Sequence, residues 1–291
     1  MRVGVVFPQT EIGTDPAVIR DYAQAVESMG YAHMLAFDSV VGANPDRPGG
    51  WDSQFTYEHD FHEPFVLFGF CAGVTRSLEL VTGVIILPQR QTALVAKQAA
   101  AVDVLSRGRL RLGIGVGWNP VEFEALGENM GNRGRRVEEQ IEVMRLLWTR
   151  ELVTYAGQWH RVPDAGIRPL PVQRPIPIWM GGDSEPVIRR AARLADGWIT
   201  LPSFRPGPDG QRTVERLHGW VREAGRDPAA FGIEARMALA KVAPGERATE
   251  VAAWRAMPGI THLCVNTMGM GLARPDDHVR TLEQFKRDAL G

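Results

Sequence analysis

The chain has 291 residues, 44% hydrophobic and 23% charged, and its 33 Lys+Arg against 34 Asp+Glu leave a formal net charge of −1. This balance supplies a full core without metals or disulfides and excludes disorder, and it leaves no broad basic field for a phosphate backbone, so nucleic acid is not an expected partner. Cys71 and Cys264 stand in apolar stretches (FGFCAGV, THLCVNT) and read as buried thiols; the start MRVGVVFPQT is too short an apolar run for a signal peptide, and no stretch reaches the ~20 apolar residues of a membrane span, so a cytoplasmic protein is expected.

Short runs of Val, Ile and Leu alternate with amphipathic segments, the pattern of parallel strands joined by crossover helices. The first strand is read at residues 3–7, followed by a helix over 16–29 that opens after Asp15 and closes at Gly30. The second strand is 32–37. After it, residues 38–63 form an irregular stretch far longer than a usual βα loop and are expected to be functional. A helix over 64–72 leads to a third strand at 78–87 and a helix at 93–105. The fourth strand is 110–116, and the helical region beyond it splits into pieces near 120–126 and 135–149. VTYAGQWHRV, residues 153–162, alternates around a Gly and predicts a small hairpin inserted before the fifth strand, 176–180, which ends in Gly181-Gly182. A helix at 186–194, a strand at 197–200, a Pro/Gly-rich loop, strands at 233–239 and 262–266, and helices near 246–256 and 276–290 complete the chain. About eight such units predict one α/β domain over 1–291, a (β/α)8 TIM barrel with insertions after strands two and four. The rival is a doubly wound open sheet, but GIGVG is spaced G-x-G-x-G and stands in the fourth unit, so the dinucleotide fingerprint is missing.

Chemistry is expected at the carboxyl ends of the strands. In RLRLGIGVGWNPVEFEALG, Gly113, Gly115 and Gly117 remove side chains near the end of strand four, and Pro120 opens a helix. Free amides at such a turn can face an anion; the plainer reading is tight packing at a barrel rim. Strand five ends alike, with Gly181, Gly182, Asp183 and Ser184 before a helix, where Asp183 or Ser184 can also serve as a cap. Asp38 and Ser39 stand where the long loop begins, and Gly83-Val84 marks a bulge or close approach within strand three. The loop carries Trp51, Phe55, Tyr57, His59, His62 and Glu63, able to cover a flat ring or shape a substrate pocket. No Cys cluster, HExxH or carboxylate array accompanies the histidines, so no metal is expected, and no G-x-S-x-G elbow points to a hydrolase.

AFDSVVGANP, ELVTGVIILPQRQTALVAKQAAAVDVLSRGRLRLGIGVGWNPVEFEALG and PIPIWMGGDSEPVIRRAARLADGW resemble the luciferase-like monooxygenase superfamily, and within it the deazaflavin oxidoreductases that use coenzyme F420. The resemblance covers nearly the whole chain, with residues 82–127 and 175–198 the most specific. It implies a barrel whose strand ends hold the cofactor ring, with Asp38 beside it and Gly83-Val84, in many relatives a non-proline cis peptide, under one face. Val116, Gly117, Trp118 and Asn119 would line the tail and ring edge, and Gly181, Gly182 and Asp183 would meet the phosphate. Many deazaflavin-using relatives have Asp-His where this chain has Asp38-Ser39, so the proton partner passes to Ser39, His62 or Glu63. Trp118 replaces the Glu of relatives that oxidise sugar phosphates, which argues against that substrate. The implied activity is hydride exchange between F420 and a small-molecule substrate; the alternatives are an FMN-dependent monooxygenase and a noncatalytic cofactor-binding protein. Relatives commonly form homodimers, and the same is expected here.

Overall fold

The computed structural model describes residues 1–53 and 55–291; Gln54, inside the long loop, lies outside the described residues. In chain order the elements are β1 (Arg2–Val6), α1 (Pro16–Ser28), β2 (His33–Ala36), α2 (Pro64–Val74), β3 (Glu79–Thr82), β4 (Ile85–Ile86), α3 (Thr92–Leu105), β5 (Leu110–Gly115), α4 (Pro120–Ala125), α5 (Arg133–Thr149), β6 (Val153–Ala156), β7 (Arg161–Ala165), β8 (Ile178–Gly181), α6 (Glu185–Leu194), β9 (Gly197–Ile199), α7 (Pro208–Glu223), β10 (Gly232–Ala238), α8 (Arg247–Ala256), β11 (His262–Asn266) and α9 (Pro275–Phe285). Asp15 caps α1 by accepting from Ala17 N at 2.8 Å, and Pro at the first turn opens α1, α2, α4 and α9, where a missing N–H costs nothing.

The barrel closes through parallel pairings that run β1, β2, β3, β5, β8, β9, β10, β11 and back to β1. Because every crossover is a helix, both faces of the sheet are covered and the strands read as apolar runs. The larger apolar cluster fills the layer between strands and helices, and a smaller one, Val6, Leu35, Val81, Trp179, Ile199 and Cys264, fills the barrel itself. Cys71 and Cys264 are both buried free thiols. The hairpin β6–β7 forms its own antiparallel sheet, as its alternation predicts.

One feature bears out the bulge expected at Gly83-Val84, and one departs from the sequence reading. Strand three is broken: Val81 stands opposite Arg111 and Ile85 opposite Ile114, so four steps on one strand match three on the other and one residue leaves the ladder. The bulge carries a cis peptide between Gly83 and Val84. The Pro/Gly-rich loop after residue 200 also contains α7, in which Val214, Leu217 and Val221 recur at helical spacing and are buried. No helix among the described residues is long and apolar enough to cross a membrane.

Candidate active site at the barrel mouth

The end of β2 is held from three sides. Gln9, fully buried just past β1, donates to Phe37 O at 3.0 Å and accepts from Phe37 N at 2.8 Å, which fixes that backbone as a further strand neighbour would. Asp38 follows with a sealed side chain that accepts from Ile86 N at 3.0 Å and pairs with Arg90 at 2.8 Å. Arg90 reaches on to Glu63 at 3.0 Å, and the other oxygen of Glu63 caps α2 by accepting from Val66 N at 2.9 Å. A single guanidinium therefore ties strand two, strand three and the end of the long loop together. Burial pushes the Asp38 carboxyl above its usual range, and Glu122 adds to this, against the opposing pull of Arg90 and the Ile86 amide.

Glu122, buried on α4, accepts from the amides of Val40 and Val41, and Ser39 Oγ lies 3.5 Å from the same oxygen. Asn119 positions that helix by capping it, accepting from Val121 N and Glu122 N. The start of the loop after β2 is thus fastened to the helix after β5. Further along, Trp51 stacks on Trp118 with ring centroids 5.7 Å apart, a second fastening between the same segments.

The glycines at the strand ends have distinct uses. A Cβ on Gly115 would stand 2.6 Å, and one on Gly181 2.7 Å, from the Val84 side chain, so both are empty to admit the residue that the bulge pushes inward. Gly117 and Gly182 have φ of 81° and 129°, a region that glycine enters without penalty. Trp198 Nε1 donates to Gly182 O at 2.6 Å from the helix side. In a planar trans peptide N–H and C=O oppose each other, so this bond turns the Asp183 amide toward the mouth. Ser184 holds the N-cap position of α6 without a side-chain cap bond; Pro186 has no N–H and Val187 N donates to Ser184 O at 2.9 Å, so in that first turn the Glu185 amide is left without an acceptor among the described residues.

The expected site residues therefore divide. Asp38 and Glu63 meet through Arg90, Ser39 meets Glu122, Val84 meets Gly115 and Gly181, and Gly182 and Asp183 form one turn. Val116 packs with the helix-side core, and Asn119 is occupied as a cap. His59 is held within its loop by Thr56 N, whereas His62 Nε2 is buried with no partner among the described residues. Arg90, Glu122, Gln9 and Arg236 were not singled out from sequence, although PQRQT directly after strand three was a visible signal for the first. Among hollows in the molecule, one of about 580 Å³ lies between α5 and the hairpin and contains none of these residues. Another, of about 550 Å³, opens beside the ends of β10 and β11, lined in part by Leu239, Lys241, Arg247 and Met270.

The profile of the luciferase-like monooxygenase family matches residues 1–288. An uncharacterized protein of Mycobacterium tuberculosis, Rv0940c, is 36% identical over 203 residues, 66% of this chain and 68% of that one. An FMNH2-dependent dimethylsulfone monooxygenase of Pseudomonas fluorescens is 30% identical over 202 residues, 68% of this chain and 52% of that protein. The fold is shared with the coenzyme F420-dependent tetrahydromethanopterin reductase of Methanopyrus kandleri at a TM-score of 0.72 and 15% identity, over 99% of this chain and 98% of that one. With an unbroken eight-membered ring of parallel strands and a profile match over nearly its full length, the chain belongs to the luciferase-like monooxygenase family.

Proposed function

We propose that this chain is an oxidoreductase that exchanges a hydride between coenzyme F420 and a small organic substrate held beneath residues 38–63. The mouth suits a flat ring with an anionic tail. Phe37, Val84 and Met268 are partly exposed apolar groups over the filled barrel. The turn at Gly182 opens onto the start of α6, where the Glu185 amide has no acceptor among the described residues and favours an anion, whereas Asn119 already satisfies the first amides of α4. His62 Nε2, both amide atoms of Gln89 and Thr200 Oγ1 are buried on segments that follow strand ends and have no partner among the described residues, at about 1–3 kcal/mol each until a ligand or water pairs them.

When bound, the deazaflavin supplies the hydride chemistry, and the protein supplies orientation, exclusion of water and proton handling. Val84 would support one face of the ring, and the amides at the Gly182–Asp183 turn would take the phosphate. Glu63 is already committed to Arg90 and to its helix cap, which leaves His62 and Ser39 as the groups for the proton.

The observation that carries the choice of F420 is the start of α5. Arg133, Arg135 and Arg136 crowd its first turn with no acid among them and no side-chain cap, against the helix dipole, and only Arg136 has a carboxylate partner among the described residues. Gly134 lies against Arg190 of α6, so this basic turn borders the helix that begins at the Gly182 turn. A tail that carries charge beyond one phosphate accounts for it. The second reading, an FMN-dependent monooxygenase, draws on the dimethylsulfone monooxygenase relative. Titration with each cofactor, followed by fluorescence quenching, separates them: F420 is expected to bind, and an Arg133→Gln/Arg135→Gln variant to weaken F420 more than FMN. Tight binding of FMN with none of F420 rejects the first reading.

A further inference from the structure

Among the described residues, the mouth contains a buried charge without a carboxylate partner. Arg236 projects inward from β10 and is 9% exposed. Its Nε donates to Thr200 O at 2.8 Å, and its guanidinium lies over the Phe37 ring, 5.6 Å from the centroid. Glu234, two residues earlier on the same face, is taken by Arg111 at 2.6 Å and His33 at 3.4 Å. No carboxylate lies within ion-pair distance of Arg236 among the described residues. Its two terminal nitrogens lack an acceptor there, yet they are not sealed from solvent as Arg90 Nε and Arg247 Nε are.

A guanidinium does not shed its proton to escape this cost, since its pKa stays far above neutrality. The remedy is an anion. With Nε committed to Thr200, the free edge is the Nη1–Nη2 pair, two parallel donors whose spacing matches the two oxygens of a carboxylate. The amide turn suited to phosphate follows β8, another sector of the rim, so the Arg236 sector is left for a different group.

We propose that Arg236 is a specificity-determining residue whose free edge takes the carboxylate of the substrate and lays the adjoining apolar part over Phe37. This rests on the reading of the mouth as a cofactor and substrate site, and it adds the chemical class of the substrate, an organic acid.

The test compares the wild type with Arg236→Gln and Arg236→Lys by calorimetric titration of benzoate and hexanoate against their neutral amides, with and without F420. For at least one pair the wild type is expected to prefer the acid by roughly tenfold or more. Arg236→Gln is expected to abolish that preference, and Arg236→Lys, which keeps charge but not the planar fork, to retain part of it. F420 quenching is expected to stay within about twofold in all three. Absence of acid preference in the wild type overturns the proposal, as does its survival in Arg236→Gln. A parallel loss of F420 affinity overturns it too, because the arginine would then serve the cofactor. If Arg236→Gln does not fold, Arg236→Lys carries the comparison, and acid preference equal to the wild type's overturns the proposal. Acid preference that depends on Arg236 in a protein that quenches neither F420 nor FMN upholds the arginine's role while the cofactor reading fails.

Discussion

At the amino end of the barrel, Arg111 bonds Glu234 at 2.6 Å and Glu79 at 3.3 Å and lies over Trp179, while Arg2 closes on the other oxygen of Glu79. At the carboxyl end, Arg90 is divided between Asp38 and Glu63 at the wall, and Arg236 stands in the middle with no carboxylate partner among the described residues. The first arrangement fills the width of a barrel with paired charges, although Arg111 Nη2 and Glu234 Oε1 are sealed without a hydrogen-bond partner among the described residues. The second keeps polar groups open beside an apolar platform. The amino-end charges are thus paired with one another, whereas Arg236 has no carboxylate partner among the described residues. The trio His33, Glu234 and Cys264, whose ligand atoms lie within 4.8 Å of one another, belongs to the first kind, because Arg111 already occupies Glu234.

The largest effect that can break this contrast is at Glu234. Glu234→Ala leaves Arg111 buried beside His33 with half its partners gone, and a loss of about 3–5 kcal/mol in urea unfolding is expected. Arg236→Gln, which removes a cation without a carboxylate partner, is expected to stay within about 1 kcal/mol of the wild type. Equal losses would mean that the two ends do not differ in kind.

The pH dependence of stability sharpens the same point. Burial, with Arg111 and His33 nearby, pushes His262 down to about 3 from its ordinary 6.5. Below pH 6.5 the unfolded chain therefore takes a proton that the native chain refuses, and stability falls as pH drops from about 6.5 toward about 3. At Glu234 burial works to raise the carboxyl, but Arg111 and His33 outweigh it and hold it well below the usual carboxylate range. Its contribution is complete above 4.5 and is lost only at lower pH. His262→Gln should flatten the decline between pH 6.5 and 4.5 relative to the wild type, with the decline below 4.5 kept. A slope unchanged by His262→Gln places the acid sensitivity elsewhere.

At the mouth, Gly181→Ala sets a methyl against Val84. A stability cost of about 1–3 kcal/mol is expected, with cofactor quenching weakened by roughly tenfold because the displaced Val84 no longer supports the ring. The same stability loss with unaltered cofactor affinity would remove Val84 from the proposed platform.

How far the sequence disclosed this site follows from what periodicity reports. Runs such as VTGVIIL and RLGIG announce buried parallel strands, and Asp38 stands at a strand end, so the barrel and one anchor were legible. Hydrophobicity runs on through ELVTGVIIL, so the break at residues 83–84 was legible only from the Gly inside a central strand, which asks for a bulge or close approach, and from the family resemblance. Helix α7 was hidden because RPGPDGQ at its start reads as loop. Arg90, Glu122 and Arg236 escaped because their roles lie in contacts 52, 82 and 36 residues away along the chain. Periodicity tells which face a side chain takes, and it is silent about what waits there.

The smallest expected effect concerns how the long loop is held over the mouth. Trp51 and Trp118 stack at an interplanar angle of 29°, yet Trp118 is 53% exposed, so the pair rests on ring contact more than on area removed from water. A double-mutant cycle of Trp51→Ala and Trp118→Ala should give a coupling of about 0.5–1.5 kcal/mol, measured by urea unfolding. The singles should also speed proteolytic cleavage within residues 38–63 while leaving the floor, judged by the acid-side decline assigned to His262, untouched. Zero coupling would leave Glu122, through the Val40 and Val41 amides, as the fastening between this loop and the strand-four end. In that case the loop is pinned at its root and free at its middle, and substrate entry need not wait for the two indoles to part.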